Sequence, residues 1–404
     1  MPRVIVIGAG AAGTMAAIFA ARGGADVVLL EHTADGGRKI LISGGGRCNV
    51  LPATLDESRF VTDSSPATLR NILRSWPLRE QRAFFESDLR LPLAEETETA
   101  KLFPVSNKAR DVRDGLLAHA RVLGVEWMPG STVIDFAPAD GRWRLALEGG
   151  RTLGADAVIV ATGGMSVPTT GSDGRGLTVL RALGHGVHPT YAALTPVTAN
   201  PAPFSELSGV SLPAVTLTAR DADRKARASG AFLFTHRGYS GPALLDVSHV
   251  LVRSGGARAR LLAQWTPLDA EAWDALLRSE GGRQAATPLR RELPARLADL
   301  LLARANVQPD LRLSHLTRES RRRLVGLLTT CELPWSGHGG YAKAEVTGGG
   351  VSLAEIDPRT MESRKLPGLF LCGELLDAFG PIGGYNFAWA WATGRAAGRG
   401  AAGR

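Results

Sequence analysis

The chain has 404 residues, a formal net charge of +8 and 44% hydrophobic residues, a composition typical of globular proteins. This length exceeds that of a usual single core, so we expect two or three domains. No run of about 18 apolar residues occurs, and we therefore expect no membrane-spanning helix. The three cysteines, Cys48, Cys331 and Cys372, are far apart, which argues against a disulfide framework and a metal site. Low cysteine use is typical of a cytoplasmic protein.

The positive charge raises the question of a nucleic acid or an acidic membrane surface as partner. The basic residues are mostly arginines spread along the chain. The densest run, 321–323, lies between apolar positions of a predicted helix and is typical of a solvated face. We therefore predict a small-molecule substrate, with no membrane and no nucleic acid as partner. The sequence does not predict an oligomeric state.

The N-terminus has the pattern of a strand, a glycine-rich turn, a helix and a second strand. Arg3 to Ile7 is a β-branched run, and the segment 8–13 reads GAGAAG. Thr14 to Arg22 is alanine-rich and helical, and Asp26 to Leu30 is a second apolar run that ends on Glu31. A GxGxxG motif is a weak signal alone, but in this context it predicts dinucleotide binding.

Each glycine of the motif has a separate role in such a site. Gly8 permits the tight turn, Gly10 lets the backbone approach a pyrophosphate, and Gly13 allows close packing of helix on strand. The helix N-terminus offers free N–H groups and partial positive charge. Glu31 stands where a carboxylate accepts from a ribose hydroxyl, and it would repel the 2′-phosphate of NADP.

Two later segments favour FAD over NAD. Asp156 to Val160 is a buried-strand pattern that runs into the turn 161–164, which lacks the fingerprint. Gly368 to Cys372 is a last strand, and a helix over Phe387 to Ala397 follows a glycine-rich turn. A nicotinamide dehydrogenase of this size would not need a second glycine-rich segment, at the far end of the chain, that returns to the first domain. Asp377 is predicted to accept from ribityl hydroxyls, and the final helix to meet the pyrimidine side of the flavin.

The predicted secondary structure changes in the middle of the chain. After about residue 190 the patterns are those of strands, and from about 267 those of helices. The predicted fold is α/β, with a discontinuous Rossmann-like FAD domain at 1–190 and 340–404. An insert at 191–339 would be β-rich to about 266 and helical from 267 to 339.

Five segments resemble the BaiN/YhiN-type flavoproteins, the aminoacetone-oxidase-like FAD-binding family. They are GRKILISGGGRCN (37–49), KLFPVSNKARDV (101–112), FLFTHRGYSGPALLDVS (232–248), AEVTGGGV (344–351) and the segment 360–394. The resemblance implies an FAD-dependent oxidoreductase whose FAD domain is interrupted by a β-barrel-like part and a small helical part. The chain departs from the family pattern at Val50-Leu51-Pro52, where Thr-Asn is usual, and at Lys101, where Arg is usual.

The residues predicted to contact FAD lie in all these segments. They are Gly8, Gly10, Ala12, Gly13, Glu31, Arg38, Gly44, Gly45, Arg47, Cys48, Val133, Ala161, Thr162, Gly163, Gly373, Glu374, Asp377, Gly383, Gly384, Tyr385 and Asn386. Arg47 and His236 are the predicted catalytic residues.

Several of these residues have a simpler alternative role. Arg47 and Asn49 either face flavin and substrate or satisfy the backbone of their own loop. Cys48 is either a reactive thiol or, more often for such a residue, a small buried one. His236 is either a general acid or anion ligand, or a surface residue that caps a turn.

The predicted reaction is hydride transfer between N5 of non-covalent FAD and a small organic substrate, with NAD(P)H as a transient electron donor. One alternative is a flavin-dependent tRNA-modifying protein, which the basic charge favours although no dense basic stripe with aromatics is present. Another alternative is a flavin redox sensor without turnover.

Overall fold

The computed structural model describes residues 1–255, 259–279 and 281–404; residues 256–258 and 280 of the predicted insert lie outside this description. The strands are β1 Arg3–Ile7, β2 Asp26–Glu31, β3 Leu51–Pro52, β4 Leu93–Glu96, β5 Lys101–Pro104, β6 Glu126–Pro129, β7 Val133–Ala139, β8 Arg142–Leu147, β9 Thr152–Ala155, β10 Ala157–Val160, β11 Val187–Ala193, β12 Val197–Thr198, β13 Ser211–Arg220, β14 Lys225–Thr235, β15 Gly238–Ser240, β16 Arg260–Gln264, β17 Cys331–Glu332, β18 Gly337–His338, β19 Val346–Val351 and β20 Leu369–Leu371.

The helices are α1 Ala11–Arg22, α2 Arg38–Ile42, α3 Pro66–Arg74, α4 Leu78–Ala83, α5 Ala109–Val122, α6 Arg175–Ala182, α7 Pro242–Arg253, α8 Ala270–Ser279, α9 Ala286–Glu292, α10 Ala295–Arg304, α11 Arg318–Thr329 and α12 Tyr385–Ala402. The described residues divide into two compact units. The first comprises residues 1–191 and 346–404, and the second comprises residues 192–345.

The first unit is built on a five-stranded parallel sheet in the order β20–β10–β1–β2–β6. Its central strands are β-branched and buried on both faces, as is usual for a parallel sheet covered by helices. In this order β20, from the end of the chain, pairs with β10, and β10 alone separates it from β1. The α/β class with a Rossmann-like sheet, predicted from the sequence, is therefore confirmed.

Small residues let α1 and α12 pack closely. A Cβ at Gly394 would stand 2.4 Å from the carbonyl oxygen of Ala12, and one at Gly398 would stand 2.3 Å from that of Ala16. The indoles of α12 fix its other side, because Trp389 donates to the Gly373 carbonyl oxygen at 3.1 Å and Trp391 to that of Val50 at 3.0 Å. Both tryptophans belong to the core.

Two three-stranded antiparallel sheets also belong to the first unit, in the orders β3–β5–β4 and β7–β8–β9. The first was not predicted. In the chain, β6 of the parallel sheet ends at Pro129, and β7 begins at Val133 after the turn that contains Gly130 with φ +68°.

The second unit contains a seven-stranded antiparallel sheet in the order β17–β16–β13–β14–β15–β12–β18. Helix α7 packs on β13 and β14, and α8 to α11 follow in sequence. The aromatic centre of this core is formed by Phe232, Phe234, Tyr239 and Trp265. Strands therefore predominate up to Gln264 and helices from Ala270 to Thr329, but α7 precedes β16, and β17 and β18 follow α11.

Candidate functional site

The turn between β1 and α1 is shaped by two glycines that touch neighbouring backbone. Gly8 has φ +100°, and a Cβ there would stand 2.6 Å from the Ala161 carbonyl oxygen. A Cβ at Gly13 would stand 1.8 Å from the Gly8 carbonyl oxygen. No other residue fits at either position without moving the backbone. The turn is therefore pressed against the end of β10.

Gly10 differs from these two glycines because it faces open space. Its φ is −76°, which any residue adopts, and a Cβ built there meets no described atom within 4 Å. Gly10 is also the N-cap of α1, and no described side chain caps the first N–H groups of that helix. Open space at an uncapped helix N-terminus is what an approaching phosphate requires.

Glu31 is held against this turn by three hydrogen bonds. One carboxylate oxygen, Oε2, accepts from the Ala9 backbone N–H at 2.9 Å. The other, Oε1, accepts from the N–H and the hydroxyl of Thr33 at 2.8 and 2.7 Å. The residue is 7% exposed. Its carboxylate thus borders the glycine turn at the end of β2, the position predicted for ribose recognition.

A half-buried ion pair and its hydrogen bonds join four segments beside the end of β20. Lys39 of α2 donates to Glu374 Oε2 at 2.6 Å and to the Ser166 hydroxyl at 2.5 Å. Glu374 Oε1 accepts from that hydroxyl at 2.7 Å and from the Thr347 N–H at 3.0 Å. Sequence analysis named Glu374 but missed Lys39, whose charge inside the apolar-rich segment KILI was the available signal. The pair positions α2 against the 373–375 turn.

Asp377 sits in a second polar cluster and is 1% exposed. Its Oδ2 accepts from the Thr62 hydroxyl at 3.0 Å, the Asp63 N–H at 2.9 Å and the Ser64 hydroxyl at 2.8 Å. His188 Nε2 lies 3.6 Å from the same oxygen. Asp377 thereby ties the segment 62–64 to the end of β20, which sequence reasoning did not foresee. Its contact with ribityl hydroxyls stays a prediction.

The loop from Ser43 to Asn49 adopts left-handed backbone conformations at several residues, of which Cys48 is not a glycine. Gly44 has φ +55°, Gly45 φ +68° and Cys48 φ +60°. Arg47 leaves this loop to pair with Glu96 at 2.8 Å, and its guanidinium lies 4.1 Å from the centroid of the Phe103 ring. This ion pair and a hydrogen bond from Thr99 lower the pKa of Glu96, the Thr99 bond being the larger cause. The Arg47 side chain remains 42% exposed, so its charge is available to a ligand.

Two asparagines of the predicted site serve the backbone. The Asn49 side-chain amide is oriented so that its nitrogen and its oxygen both form hydrogen bonds. The nitrogen donates to the Leu51 carbonyl oxygen, and the oxygen accepts from the Gly384 N–H, each at 3.0 Å. Asn386 accepts from the Gly380 N–H and donates to its carbonyl oxygen, each at 2.9 Å. For Asn49 this favours the backbone-holding alternative. The amide joins the 43–49 loop to the start of α12.

The other predicted residues are distributed as follows. Ala12 lies in α1, Val133 begins β7, and Ala161, Thr162 and Gly163 follow β10. Arg38 pairs with Asp35 at 2.7 Å, Gly373 begins the turn after β20, and Gly383, Gly384 and Tyr385 form the start of α12. All of these lie in the first unit, whereas His236 is an exposed residue of the β14–β15 turn in the second unit.

The geometry of the first unit fits a dinucleotide. The glycine turn and the uncapped N-terminus of α1 have the geometry that a pyrophosphate requires, and the Glu31 carboxylate lies where a ribose acceptor is expected. Thr162 Oγ1, beside the glycine turn, is buried without a hydrogen-bond partner among the described residues. In the described residues there is also no group of three histidine, cysteine or acidic side chains that could hold a metal.

The comparison with known families decides which cofactor class applies. The HI0933-like protein Rossmann domain family matches residues 2–400 of the chain. The chain belongs to this family. The resemblance found in the sequence is thereby confirmed: like other HI0933-like proteins, the chain is an FAD-binding oxidoreductase.

Relatives of the HI0933-like chain cover nearly its full length. The ribosomal RNA dihydrouridine synthase of Escherichia coli is 33% identical over 393 residues, which cover 96% of the chain and 95% of the relative. The 3-dehydro-bile acid delta(4,6)-reductase of Clostridium scindens is 32% identical over 413 residues, which cover 100% of both. Among solved structures, a 3-ketosteroid-delta4-(5alpha)-dehydrogenase from Rhodococcus jostii aligns with 17% identity and a TM-score of 0.49. The alignment covers 99% of this chain and 96% of the dehydrogenase.

No helix of the described part of the chain is long and apolar enough to cross a membrane.

The reactivity of the cysteine thiols is limited by their burial. All three cysteines are buried, and burial raises the pKa of Cys48 to about 12 and that of Cys331 to about 11. Burial likewise raises the pKa of Cys372. A thiolate is the reactive form, so the structure favours the inert alternative for Cys48.

We expect the native protein to be nearly unreactive toward Ellman's reagent at pH 8. A raised pKa keeps each thiol protonated at that pH, and burial denies the reagent access. Absorbance at 412 nm should show three thiols only after guanidinium chloride is added. Fast reaction of one thiol in the native protein, lost in Cys48→Ser, would show that Cys48 is a reactive thiol after all.

Proposed function

We propose that this HI0933-like oxidoreductase uses non-covalent FAD to reduce a carbon–carbon double bond conjugated to a carbonyl group. The observation that carries the proposal is a chemistry shared by two full-length relatives, the ribosomal RNA dihydrouridine synthase and the 3-dehydro-bile acid delta(4,6)-reductase. Making dihydrouridine saturates the 5,6 double bond of a uracil ring, which is conjugated to a carbonyl. A delta(4,6)-reductase acting on a 3-dehydro compound likewise saturates a double bond conjugated to a ketone.

The chemistry divides between cofactor and protein. FAD, when bound and reduced, supplies a hydride to the β-carbon, and a proton must reach the α-carbon. The electron pair of the double bond moves onto the carbonyl oxygen, where negative charge develops. A cation near that oxygen lowers the barrier.

Arg47 is the proposed cation at the carbonyl oxygen. Its loop is fixed to the start of α12 through Asn49, while its guanidinium is half exposed. Glu96 and Phe103 hold the guanidinium in place from two sides. His236, in the second unit, stays the candidate proton donor, because imidazole is the most common general acid of enzymes. NAD(P)H, binding transiently, is the proposed source of electrons.

A single-turnover experiment tests the proposed reaction. The protein is reduced photochemically without oxygen and mixed with a conjugated cyclic enone, and reoxidation is followed at 450 nm. We expect the conjugated enone to reoxidise it much faster than the saturated ketone or an unconjugated isomer does. Equal rates for all three compounds would contradict the proposal, and failure of every acceptor would favour a redox sensor.

Uridine in RNA is the second candidate substrate. Relatives named ribosomal RNA dihydrouridine synthase occur in both Escherichia coli and Haemophilus influenzae, the latter 31% identical with 96% of each chain covered. The net charge of +8 would favour an RNA substrate. The same single-turnover assay with ribosomal RNA, followed by nucleoside analysis for dihydrouridine, distinguishes it from a small enone.

We expect Arg47→Ala to lower kcat for the conjugated substrate by about 100-fold, because loss of one group that stabilises a developing oxyanion costs about 3 kcal/mol. FAD content should change little, since Asn49 and not Arg47 anchors the loop. Glu96→Gln is the matched control: it removes the ion pair but keeps the guanidinium, and should retain most activity. Loss of FAD in Arg47→Ala with unchanged activity per bound flavin would assign Arg47 to cofactor holding.

A further inference from the structure

A cavity of about 690 Å³ opens in the first unit beside the C-terminal half of α12. Its walls come from that helix, from the end of α3 and from the turn at 357–361. Its polar lining consists of three arginines and three neutral residues: Arg359, Arg395, Arg399, Asn71, Ser75 and Thr360. All the charged residues that line it are therefore cations.

The close approach of the turn to the helix depends on Gly400. A Cβ at Gly400 would stand 2.6 Å from the Thr360 carbonyl oxygen. The turn is itself fixed, because the Asp357 carboxylate accepts from the Arg359 N–H at 2.8 Å. On the helix, Arg395 and Arg399 are four residues apart and so share one face. Packing thus brings guanidinium groups from two separate elements to one cavity.

The charges around this cavity do not cancel. Arg359, Arg395 and Arg399 form no ion pair with a carboxylate within 4 Å in the described structure. Arg395 is half-buried, donates to the Ser75 carbonyl oxygen at 3.1 Å and lies 5.2 Å from the Trp76 ring centroid. Burial, and after it the charge of Arg399, lowers the pKa of Arg395, while Glu80 acts in the opposite direction.

The cavity is separate from the candidate FAD site. Helix α12 starts at the glycine turn of that site, and its Gly394 packs on Ala12 near the start of α1. Further along, Ala402 touches Gly23, just beyond the end of α1. At 1.5 Å per residue, Arg399 lies about 22 Å along the helix from Gly384. A ligand here would not be the pyrophosphate of the flavin cofactor.

We propose that this cavity is a second anion site, which binds the phosphate group of a nucleotide or of a polynucleotide. Arginine is suited to this role, since its planar guanidinium pairs with two phosphate oxygens at once. Among the neutral lining residues, Asn71 adds an amide and Thr360 a hydroxyl group as hydrogen-bond donors, whereas the Ser75 hydroxyl already donates to the Ile72 carbonyl oxygen at 2.7 Å. The site is independent of the reaction at the flavin, so its test does not depend on the proposed function.

The test measures binding to the FAD-loaded protein with three probes. They are pyrophosphate and AMP by calorimetry, and a fluorescein-labelled 12-nucleotide single-stranded RNA by anisotropy. The variant is Arg359→Gln with Arg399→Gln, both exposed residues whose replacement should leave the fold intact. The control is Arg151→Gln with Arg181→Gln, two exposed arginines of the same unit outside the cavity lining. Arg395 is left in place because its side chain packs on Trp76 and donates to the Ser75 carbonyl oxygen.

We expect at least one probe to bind saturably and to lose about tenfold or more affinity in the cavity variant only, with FAD content unchanged. Tight binding of AMP or pyrophosphate would identify a free nucleotide or phosphate as the ligand. If RNA is the ligand, only the RNA should bind tightly, and its log–log salt slope should fall by about 1.4 in the variant. Equal loss in variant and control, or no saturable binding by the parent, would overturn the proposal.

Discussion

Gly13→Ala should destabilise the apoprotein strongly, whereas Gly10→Ala should leave its stability almost unchanged and still weaken FAD binding. The two glycines are three residues apart in one turn, but their surroundings differ. A methyl group at Gly13 would lie 1.8 Å from the Gly8 carbonyl oxygen, so α1 must move away from β1. Overpacking of this kind costs about 3 kcal/mol, which lowers Tm by roughly 6–12 °C for a unit of this size.

Gly10→Ala places its methyl group in open space and at a φ of −76°. The apoprotein should therefore change by less than about 1 kcal/mol. FAD affinity should fall at least about tenfold, because the methyl group would occupy the space that we assign to the pyrophosphate. Thermal denaturation of both apoproteins and FAD titration by fluorescence quenching give the two quantities. Full FAD affinity in Gly10→Ala would show that the pyrophosphate lies elsewhere.

The second large effect is expected at Glu31. Glu31→Gln keeps one carbonyl oxygen but turns an amide NH₂ toward either the Ala9 N–H or the Thr33 donors. We expect it to lower FAD affinity about tenfold. Glu31→Arg removes every acceptor and puts a cation into a buried position beside the positive end of α1. We expect about 100-fold or greater loss of FAD affinity, by the same titration.

The control for charge reversal is Glu148→Arg, an exposed residue that follows β8 in the same unit. This variant should bind FAD as the parent does. NADP offers a further check on the Arg variant, because the Glu31 carboxylate is expected to exclude its 2′-phosphate. If Glu31→Arg and Glu148→Arg bound FAD equally well, Glu31 would not be the ribose acceptor.

The first half of the candidate site could be predicted because its signal is local. The strand, the GxGxxG turn, the helix and Glu31 lie within 31 residues, and each step of that unit has its own pattern. The apolar run 368–372 likewise indicated the last strand, and the glycine-rich turn after it indicated the start of a final helix. Helix α12 was predicted to end at Ala397 but continues to Ala402. Its glycines weaken the helix intrinsically, and close packing on α1 outweighs that cost.

The remaining contacts join residues that are distant in sequence. Lys39 meets Glu374 across 335 positions, and His188 of β11 approaches Asp377, which follows β20. A pattern in one segment shows that a residue is polar, but not which partner it finds. Asn49 illustrates the point, because its amide serves the backbone of α12 rather than facing outward.

The flavin itself gives the most direct test of the account. The purified protein should be yellow, and the supernatant after heat denaturation should contain FAD, not FMN, by chromatography against both standards. We expect about one FAD per chain after reconstitution, released without proteolysis because the binding is non-covalent. Release of FMN, or a colourless protein that binds no added FAD, would contradict the assignment of the glycine turn, Glu31 and the start of α12 to an FAD site.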